Sequence, residues 1–401
     1  MAGTAAVAGG GIAGMAAALA LARTGWRVRL VERQPALGEA GAGLQLSPNA
    51  VRALDWLGLA EPLRARGFAP GAAVMRDGLD GRVILRLPLG PSAGLRWGAP
   101  YLHLHRADLL EILADGARAA GVAIETGVRA TDYADRAEGI TLDCADAQTG
   151  ETRPSLDADL AVGADGIRST LRDRLNGRRE PDFSGMVAWR ALVPAERLPR
   201  DLVAPDATVW VGPGRHLVTY LLRGGSLVNL VAVEEAGETT AEGWRQPGDP
   251  ERLRAGFAGW RGEVTALLDA VDEAWVWGLF TRPEQVRWTQ GHMALAGDAA
   301  HPMQPFMAQG AAQALEDAVV LARMLAEPGR TVPEAVAAYE RRRWPRAARV
   351  QARSRANARM FHQRHPLARL LHHGPAAAAT RLAPRLVAGR FDWLYGHDVT
   401  A

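Results

Sequence analysis

Lysine is missing from all 401 residues, so every basic side chain other than histidine is arginine, and chemistry routed through a lysine Schiff base is excluded. Cysteine is almost missing as well. The single Cys144 cannot close an internal disulfide or build a multi-cysteine metal site, and it fits a reducing, cytoplasmic setting. Beyond the N-terminus, no charge-free apolar stretch reaches the ~18 residues of a membrane span. Residues 1–22 are uncharged, but they contain five glycines and no basic start, and they read as strand, loop and helix rather than as a leader.

A surplus of one charge is also lacking, since 47 basic residues face 44 acidic ones for a net +3. The arginines are dispersed except at Arg341-Arg342-Arg343. Beyond these, Arg342, Arg346, Arg349 and Arg353 follow helical spacing. Without interleaved aromatics this face reads as solvated and ion-paired rather than as a nucleic-acid surface. The expectation is a soluble enzyme of two or three subdomains with no metal, no nucleic acid and no membrane partner.

Three motifs carry positive information. Ala5 to Ala8 is a short apolar strand, Gly9 to Gly14 is a G-x-G-x-x-G loop, and a helix follows to Arg23. A second strand, Arg27 to Val31, delivers Glu32 about 20 residues past the loop, where an acid meets an adenosine ribose. Gly9 permits the tight turn, Gly11 the close approach of a pyrophosphate, and Gly14 the packing of helix on strand. Far downstream, the apolar run Met293 to Gly297 delivers Asp298 onto what reads as a helix start, with Gly310, Ala311 and Ala312 opening a helix behind it. A carboxylate beside free backbone N–H groups suits the ribityl chain and electron-rich ring of a flavin. The third motif is Val162-Gly163-Ala164-Asp165-Gly166, followed by Arg168-Ser169. Asp165 there reads equally as a cofactor contact or a helix N-cap.

Taken with Glu39 to Gly43, His105 to Leu109 and the terminal Arg390 to Gly396, these motifs make the chain similar, over nearly its whole length, to the class A flavoprotein monooxygenases. This is the family of p-hydroxybenzoate, salicylate and 6-hydroxynicotinate hydroxylases. The resemblance implies an α/β fold: a discontinuous Rossmann-like FAD domain, an inserted, mainly antiparallel β-sheet substrate domain and a C-terminal helical segment. The FAD domain is expected from 1–66, 101–175 and 289–339, the substrate domain from 67–100 and 176–288, and the helical region from 340–401. Gly-rich punctuation at Gly212 to Gly214 and Gly224-Gly225 separates three alternating strands, a hairpin meander with one face free for a substrate. The Ala-rich stretch Pro375 to Thr380 reads as a flexible turn.

The family also implies FAD as cofactor, NADH or NADPH as a visiting co-substrate, and dioxygen activated as a flavin C4a-hydroperoxide that attacks an electron-rich aromatic ring. Flavin halogenases, which hold their oxidant with a lysine, fit less well. The cofactor-binding set is Gly9, Gly11, Ala13, Gly14, Glu32, Arg33, Arg106, Val128, Asp165, Asp298, Pro305, Gly310, Ala311 and Ala312. Arg106 follows a strand and opens a helix, and its fork suits ribityl or pyrophosphate oxygens, with a surface pair to Asp108 as the alternative. His216 and Tyr220, four apart on one strand, share a face and are the candidates to touch the substrate and assist loss of a phenolic proton, against the alternative that both are satisfied core residues. Gln45, Pro305 and Phe306 complete the substrate set. Some relatives carry a histidine base at the position of Gln45, whose amide cannot take a proton. Arg190 is read as an interface brace, with pairing of a substrate carboxylate as the alternative. The alternative function is a flavin epoxidase or another oxygenase acting on a larger natural-product or quinone-precursor ring, and a nicotinamide-only dehydrogenase or nucleotide binder is a third class. Either a monomer or a homodimer fits.

Overall fold

The structure is a computed structural model and describes residues 2–38, 42–237, 246–282 and 286–401. The Glu39 to Gly43 motif begins outside the described residues. The helix Ile12–Arg23 has no charged residue before Arg23 and is buried along nearly its whole length, as an apolar-all-round helix must be. It packs beside a six-stranded sheet whose order is Thr289–Gln290, Met293–Leu295, Leu160–Gly163, Gly3–Ala8, Trp26–Glu32 and Ala123–Thr126. All its pairings are parallel except that of the two-residue edge strand. Its central strands Gly3–Ala8, Leu160–Gly163 and Met293–Leu295 are largely apolar because both faces are covered, one by the helix Ile12–Arg23 and the other by a three-stranded antiparallel sheet of Val128–Arg136, Gly139–Asp146 and Thr152–Ala158.

The second large sheet has eight strands, and its centre is the antiparallel meander Ala207–Gly212, Arg215–Leu222 and Leu227–Glu235. Strict alternation splits its residues between two cores. Trp189, Leu217 and Leu230 face the helices Pro250–Gly256 and Gly262–Asp269, burying Phe257 and Leu267 between them. Ala188, Val211, Val233 and Trp277 face the other way, toward Phe306 and Phe361. A two-stranded pairing, Gly43–Leu46 against Leu102–His105, links the sheets.

The helix Val332–Phe361 starts in a capping box in which the Thr331 and Glu334 side chains each meet the other's backbone N–H. It runs through Pro345 over 30 residues. The stretch Pro375 to Thr380, expected to be a turn, instead lies inside the helix Pro366–Leu382. Its alanines are strong helix formers, and helical packing overrides one proline. No helix among the described residues is long and apolar enough to cross a membrane.

Candidate active site

Ala8, Gly163 and Leu295 are register partners on three adjacent parallel strands, so the loops behind them leave the same sheet edge. That carboxyl edge is where open α/β sheets bind ligands. Gly9 has φ +107°, and a Cβ on it would lie 2.4 Å from the Ala164 carbonyl oxygen. A Cβ on Gly14 would lie 1.8 Å from the Gly9 oxygen. The first loop is thus folded tightly on itself and on the Asp165 motif. Gly11 is the N-cap of the first helix and offers no side-chain cap, which leaves the leading N–H groups open. Ala13, one residue into that helix, is the contact for Gly297.

Glu32 divides its oxygens. Oε2 accepts from the Gly10 N–H at 2.5 Å and Oε1 from the Gln34 N–H at 2.7 Å. Arg33 beside it is exposed. Val128, 4% exposed, lies two residues past Thr126, the strand partner of Glu32.

Asp165 is not the N-cap of the following helix. Ser169 holds that place, accepting from the Arg172 N–H, while Asp165 Oδ2 takes the Thr170 N–H at 2.9 Å. Asp165 Oδ1 is buried without a hydrogen-bond partner among the described residues, and burial raises the carboxyl pKa. Asp298 lies in a one-turn 3₁₀ segment, Gly297–Ala299, and not at a helix start. The helix begins only at Gly310, because Pro302, Pro305 and the left-handed Ala308 (φ +51°) intervene. Solvent reaches Asp298, yet desolvation raises its pKa against the pull of the Arg106 guanidinium. Accessible but poorly hydrated is the signature of a cleft floor. Arg106 opens the helix Arg106–Ala119, and burial lowers its pKa in turn, offset by Asp298. Asp108 is held by Arg223 at 2.8 Å.

The helix Gly310–Ala326 has no acid in its first turn and no side-chain cap. The N–H groups of Gly310, Ala311 and Ala312 therefore stand free of intrahelical partners. Gln309, its N-cap residue, is drawn away by Ser47 Oγ at 2.8 Å and Asn49 Nδ2 at 3.2 Å.

A buried ionic network fixes this corner. Asp317 Oδ2 receives His301 Nε2 at 2.5 Å and the Gly297 N–H at 2.9 Å, and Oδ1 receives Arg343 Nε at 2.8 Å. Glu316 takes Arg343 Nη1 and Arg346 Nε, both at 2.6 Å, and Asn49 Nδ2 at 2.7 Å. Burial alone would raise Glu316, but Arg343 and Arg346 hold it down at about 2. Arg346 is therefore not on a solvated face as its helical spacing suggested. Its side chain is 9% exposed, and Arg349 stacks on Trp393 at 4.1 Å.

The face of the second sheet that carries Ala188 also carries Arg190, His216 and Tyr220. Arg190 lies over the Trp277 ring at 4.3 Å, and its guanidinium is lowered to about 10 by burial, with Arg106 and Tyr220 as its electrostatic neighbours. His216 is buried, in ring contact with Phe306 at 5.3 Å and bonded through Nδ1 to His362 Nε2 at 2.8 Å. Tyr220 is buried against His103 at 4.7 Å between ring centroids. Burial pushes its phenol up, while Arg190 and Asn229 oppose that. The two candidates share a face but stand roughly 13 Å apart along the strand. Gln45 Oε1 is taken by the Tyr101 hydroxyl at 2.7 Å. Gly43 must be glycine, since a Cβ there would lie 2.5 Å from the Tyr220 ring. Pro305 is exposed and Phe306 buried.

Sequence reasoning missed His103, His362, Arg343, Asn49 and Gln309. Only Arg343 left a signal, in the adjacent acids Glu316-Asp317 set inside a helix whose one other charged residue is Arg323. A separate cavity of about 620 Å³, lined by residues including Val286, Glu340 and Trp344, shares no residue with these motifs. Among the described residues no group of three acidic, histidine or cysteine side chains could hold a metal.

A family model described as "FAD binding domain" matches residues 3–354. The chain is 40% identical over 402 aligned positions to a 3-amino-4-hydroxybenzoate 2-monooxygenase of Streptomyces platensis, covering 98% of this chain and 96% of that one. It is 36% identical over 395 positions to a 3-hydroxybenzoate 6-hydroxylase of Polaromonas naphthalenivorans (strain CJ2), again covering 98% and 96%. A solved salicylate hydroxylase substrate complex superposes with a TM-score of 0.82 at 26% identity, covering 99% of this chain and 96% of the other.

Proposed function

The chain belongs to the FAD-binding-domain family of aromatic monooxygenases, and from that premise we propose that it hydroxylates a small hydroxylated aromatic acid or hydroxypyridine, using NADH or NADPH as a visiting reductant and dioxygen. The observation that carries this reading is Arg190, which lies within electrostatic reach of both Arg106 and Tyr220 and so relates the cofactor loops to the sheet face. That face combines apolar residues, Ala188, Val211, Val233 and Trp277, with a few polar groups, as small-ligand sites do.

The residues fit FAD. Asp298 is exposed beside the Arg106 charge, and Asp165 Oδ1 has no hydrogen-bond partner among the described residues, so both are acceptors for the hydroxyl-rich part of a cofactor. Arg106 supplies the matching fork for ribityl or pyrophosphate oxygens. Gly9, Gly11, Ala13 and Gly14 bring backbone to the pyrophosphate, with Glu32, Arg33 and Val128 at the adenosine end. Gly310, Ala311 and Ala312 would offer N–H groups to the cofactor's ring system, and Pro305 would shape the turn ahead of them, its carbonyl accepting from the Ala308 N–H at 3.0 Å. Bound FAD supplies the electron and oxygen transfer. The protein keeps the site dry, orients the ring and moves a proton.

For that proton His216 is the acceptor, because burial beside a second imidazole lowers its pKa and keeps it neutral. Tyr220 stays protonated and orients the substrate by hydrogen bonding. Gln45, with its oxygen engaged, is left with an NH₂ group to donate. Phe306 packs the ring, and Arg190 braces the two sheets. In this division 1–66, 101–175 and 289–339 hold the cofactor, 67–100 and 176–288 cover the substrate, and 340–401 close the back. We read the enzyme as cytoplasmic, monomeric or homodimeric.

The test is purification with FAD followed by NAD(P)H oxidation assays with 3-amino-4-hydroxybenzoate, 3-hydroxybenzoate and 6-hydroxynicotinate. The expected result is oxidation stimulated by at least one compound, with a product heavier by one oxygen atom. A flavin-loaded protein indifferent to all three would reject the proposed substrate class.

A further inference from the structure

We propose that His216, His362 and Glu235 form a proton relay that carries the substrate's hydroxyl proton from the buried sheet face to solvent. This rests on the reading of His216 as the proton acceptor and adds His362 and Glu235, neither of which contacts the substrate.

The geometry is continuous. His216 lies on the strand Arg215–Leu222 and is 2% exposed, and His362 is the C-cap of the helix Val332–Phe361 and is 6% exposed. His216 Nδ1 and His362 Nε2 are 2.8 Å apart. His362 Nδ1 lies 3.6 Å from Glu235 Oε1, and the Glu235 side chain is 38% exposed, with its other oxygen held by Arg364 so that Oε1 is left toward His362. Backbone bonds hold the corner, with the Gly214 N–H on the His362 carbonyl and the Glu235 N–H on the Gly214 carbonyl. The charged groups around it are Glu235, Arg364, which bonds Glu235 at 2.5 Å, and Arg215. Phe306 and Phe361 pack against the His216 ring at 5.3 and 5.2 Å between centroids.

Two imidazoles at 2.8 Å can share only one proton, since one nitrogen must donate and the other accept. A neutral pair in this arrangement is a two-state proton carrier. In the resting state His216 bears its proton on Nδ1 and His362 on its own Nδ1. When His216 Nε2 takes the hydroxyl proton, the Nδ1 proton passes to His362 Nε2, and the His362 Nδ1 proton passes to Glu235 and on to water. One proton enters, one leaves, and neither ring holds a net charge at the end. A lone buried His216 would have to keep an imidazolium in an apolar site, which burial disfavours. Burial also holds His362 at about 4, opposed by Glu235, so it too is a neutral carrier.

The experiment uses FAD-loaded wild type, His362→Gln, His362→Gly and Glu235→Gln. ¹⁵N-histidine NMR of the substrate-free holoenzyme is expected to show one shared N–H between His216 and His362, and a changed His216 tautomer in His362→Gln. Two independent Nε2–H rings would overturn the relay whatever the enzyme's substrate. Stopped-flow proton release with a pH indicator on mixing with 3-hydroxybenzoate or 3-amino-4-hydroxybenzoate is expected to slow on the order of ten- to a hundred-fold in His362→Gln. Added imidazole should restore it in His362→Gly, with a smaller slowing in Glu235→Gln and no change in flavin content or in reduction by NAD(P)H. Unchanged release, or slowing that imidazole leaves uncorrected, would reduce His362 to a packing residue. If neither phenol stimulates NAD(P)H oxidation in wild type, the substrate reading fails and the NMR result alone decides the relay.

Discussion

Gly297 sits directly on Ala13: a Cβ built on Gly297 would lie 2.6 Å from the Ala13 Cβ. A helix start and a 3₁₀ turn 284 positions apart in the chain thus meet with no room between them. Gly297 also has φ +58°, where a side chain is strained. Gly297→Ala should cost about 1–3 kcal/mol and push Asp298 out of place. Flavin content of the purified variant and its urea midpoint measure this. Full loading with unchanged stability would mean the loops can separate.

Arg343 lies between Glu316 and Asp317 with its side chain 1% exposed and theirs fully buried. Arg343→Met leaves Asp317 without its arginine and Glu316 with only Arg346, so a loss of about 3–5 kcal/mol is expected. In Arg343→Met/Glu316→Gln the losses should sum to less than the two single effects added, because the second change removes one stranded charge. Denaturant melts of the three variants give the comparison, and strict additivity would contradict the network.

Acid should destabilise the fold through buried histidines. His103 is fully buried with no hydrogen bond at either ring nitrogen, and burial lowers it to about 3, the nearby Leu221 carbonyl opposing only in part. Between pH 6.5 and about 3 the unfolded chain binds a proton that the folded chain refuses, so stability falls as pH falls. At about 1.4 kcal/mol per pH unit, His103 alone accounts for about 2 kcal/mol between pH 6.5 and pH 5. His103→Phe, set among Phe68, Tyr101 and Tyr220, should show a correspondingly smaller drop in urea melts at pH 7 and pH 5. An equal drop would assign the acid sensitivity to other groups.

Arg106→Ala and Tyr220→Phe should separate cofactor binding from chemistry. The first removes the cation facing Asp298, and the protein should emerge largely colourless. The second should keep its flavin and its rate of reduction by NAD(P)H while slowing oxygen transfer on the order of ten-fold. Flavin absorbance and single-turnover kinetics check both. A fully loaded Arg106→Ala protein, or unaltered turnover in Tyr220→Phe, removes that residue from its role.

Much of the nucleotide cradle was legible because its constraints are local. Gly9 and Gly14 answer steric demands within one turn, Glu32 arrives by the length of a helix and a strand, and the meander from Ala207 to Glu235 announces itself by alternation and Gly-rich turns. Helix starts were less legible. Asp298 was expected to open a helix, but two prolines and a left-handed alanine postpone it to Gly310. The alanines of 375–380 belong to a helix because packing outweighs the proline beside them.

Local pattern therefore placed the nucleotide loop, the meander and an acid suited to a flavin, since strand period, helix period and glycine geometry act over a few residues, and the resemblance carried by those motifs implied the fold class and the class of reaction. The tertiary structure alone decided who pairs with whom: Arg343 with acids 26 and 27 positions away, and His216 with His362 at a distance of 146. A buried charge or imidazole must find a partner, but the chain does not encode that partner at any fixed spacing. Only the folding of distant segments into one corner, where water is absent and each unpaired polar atom is costly, selects it.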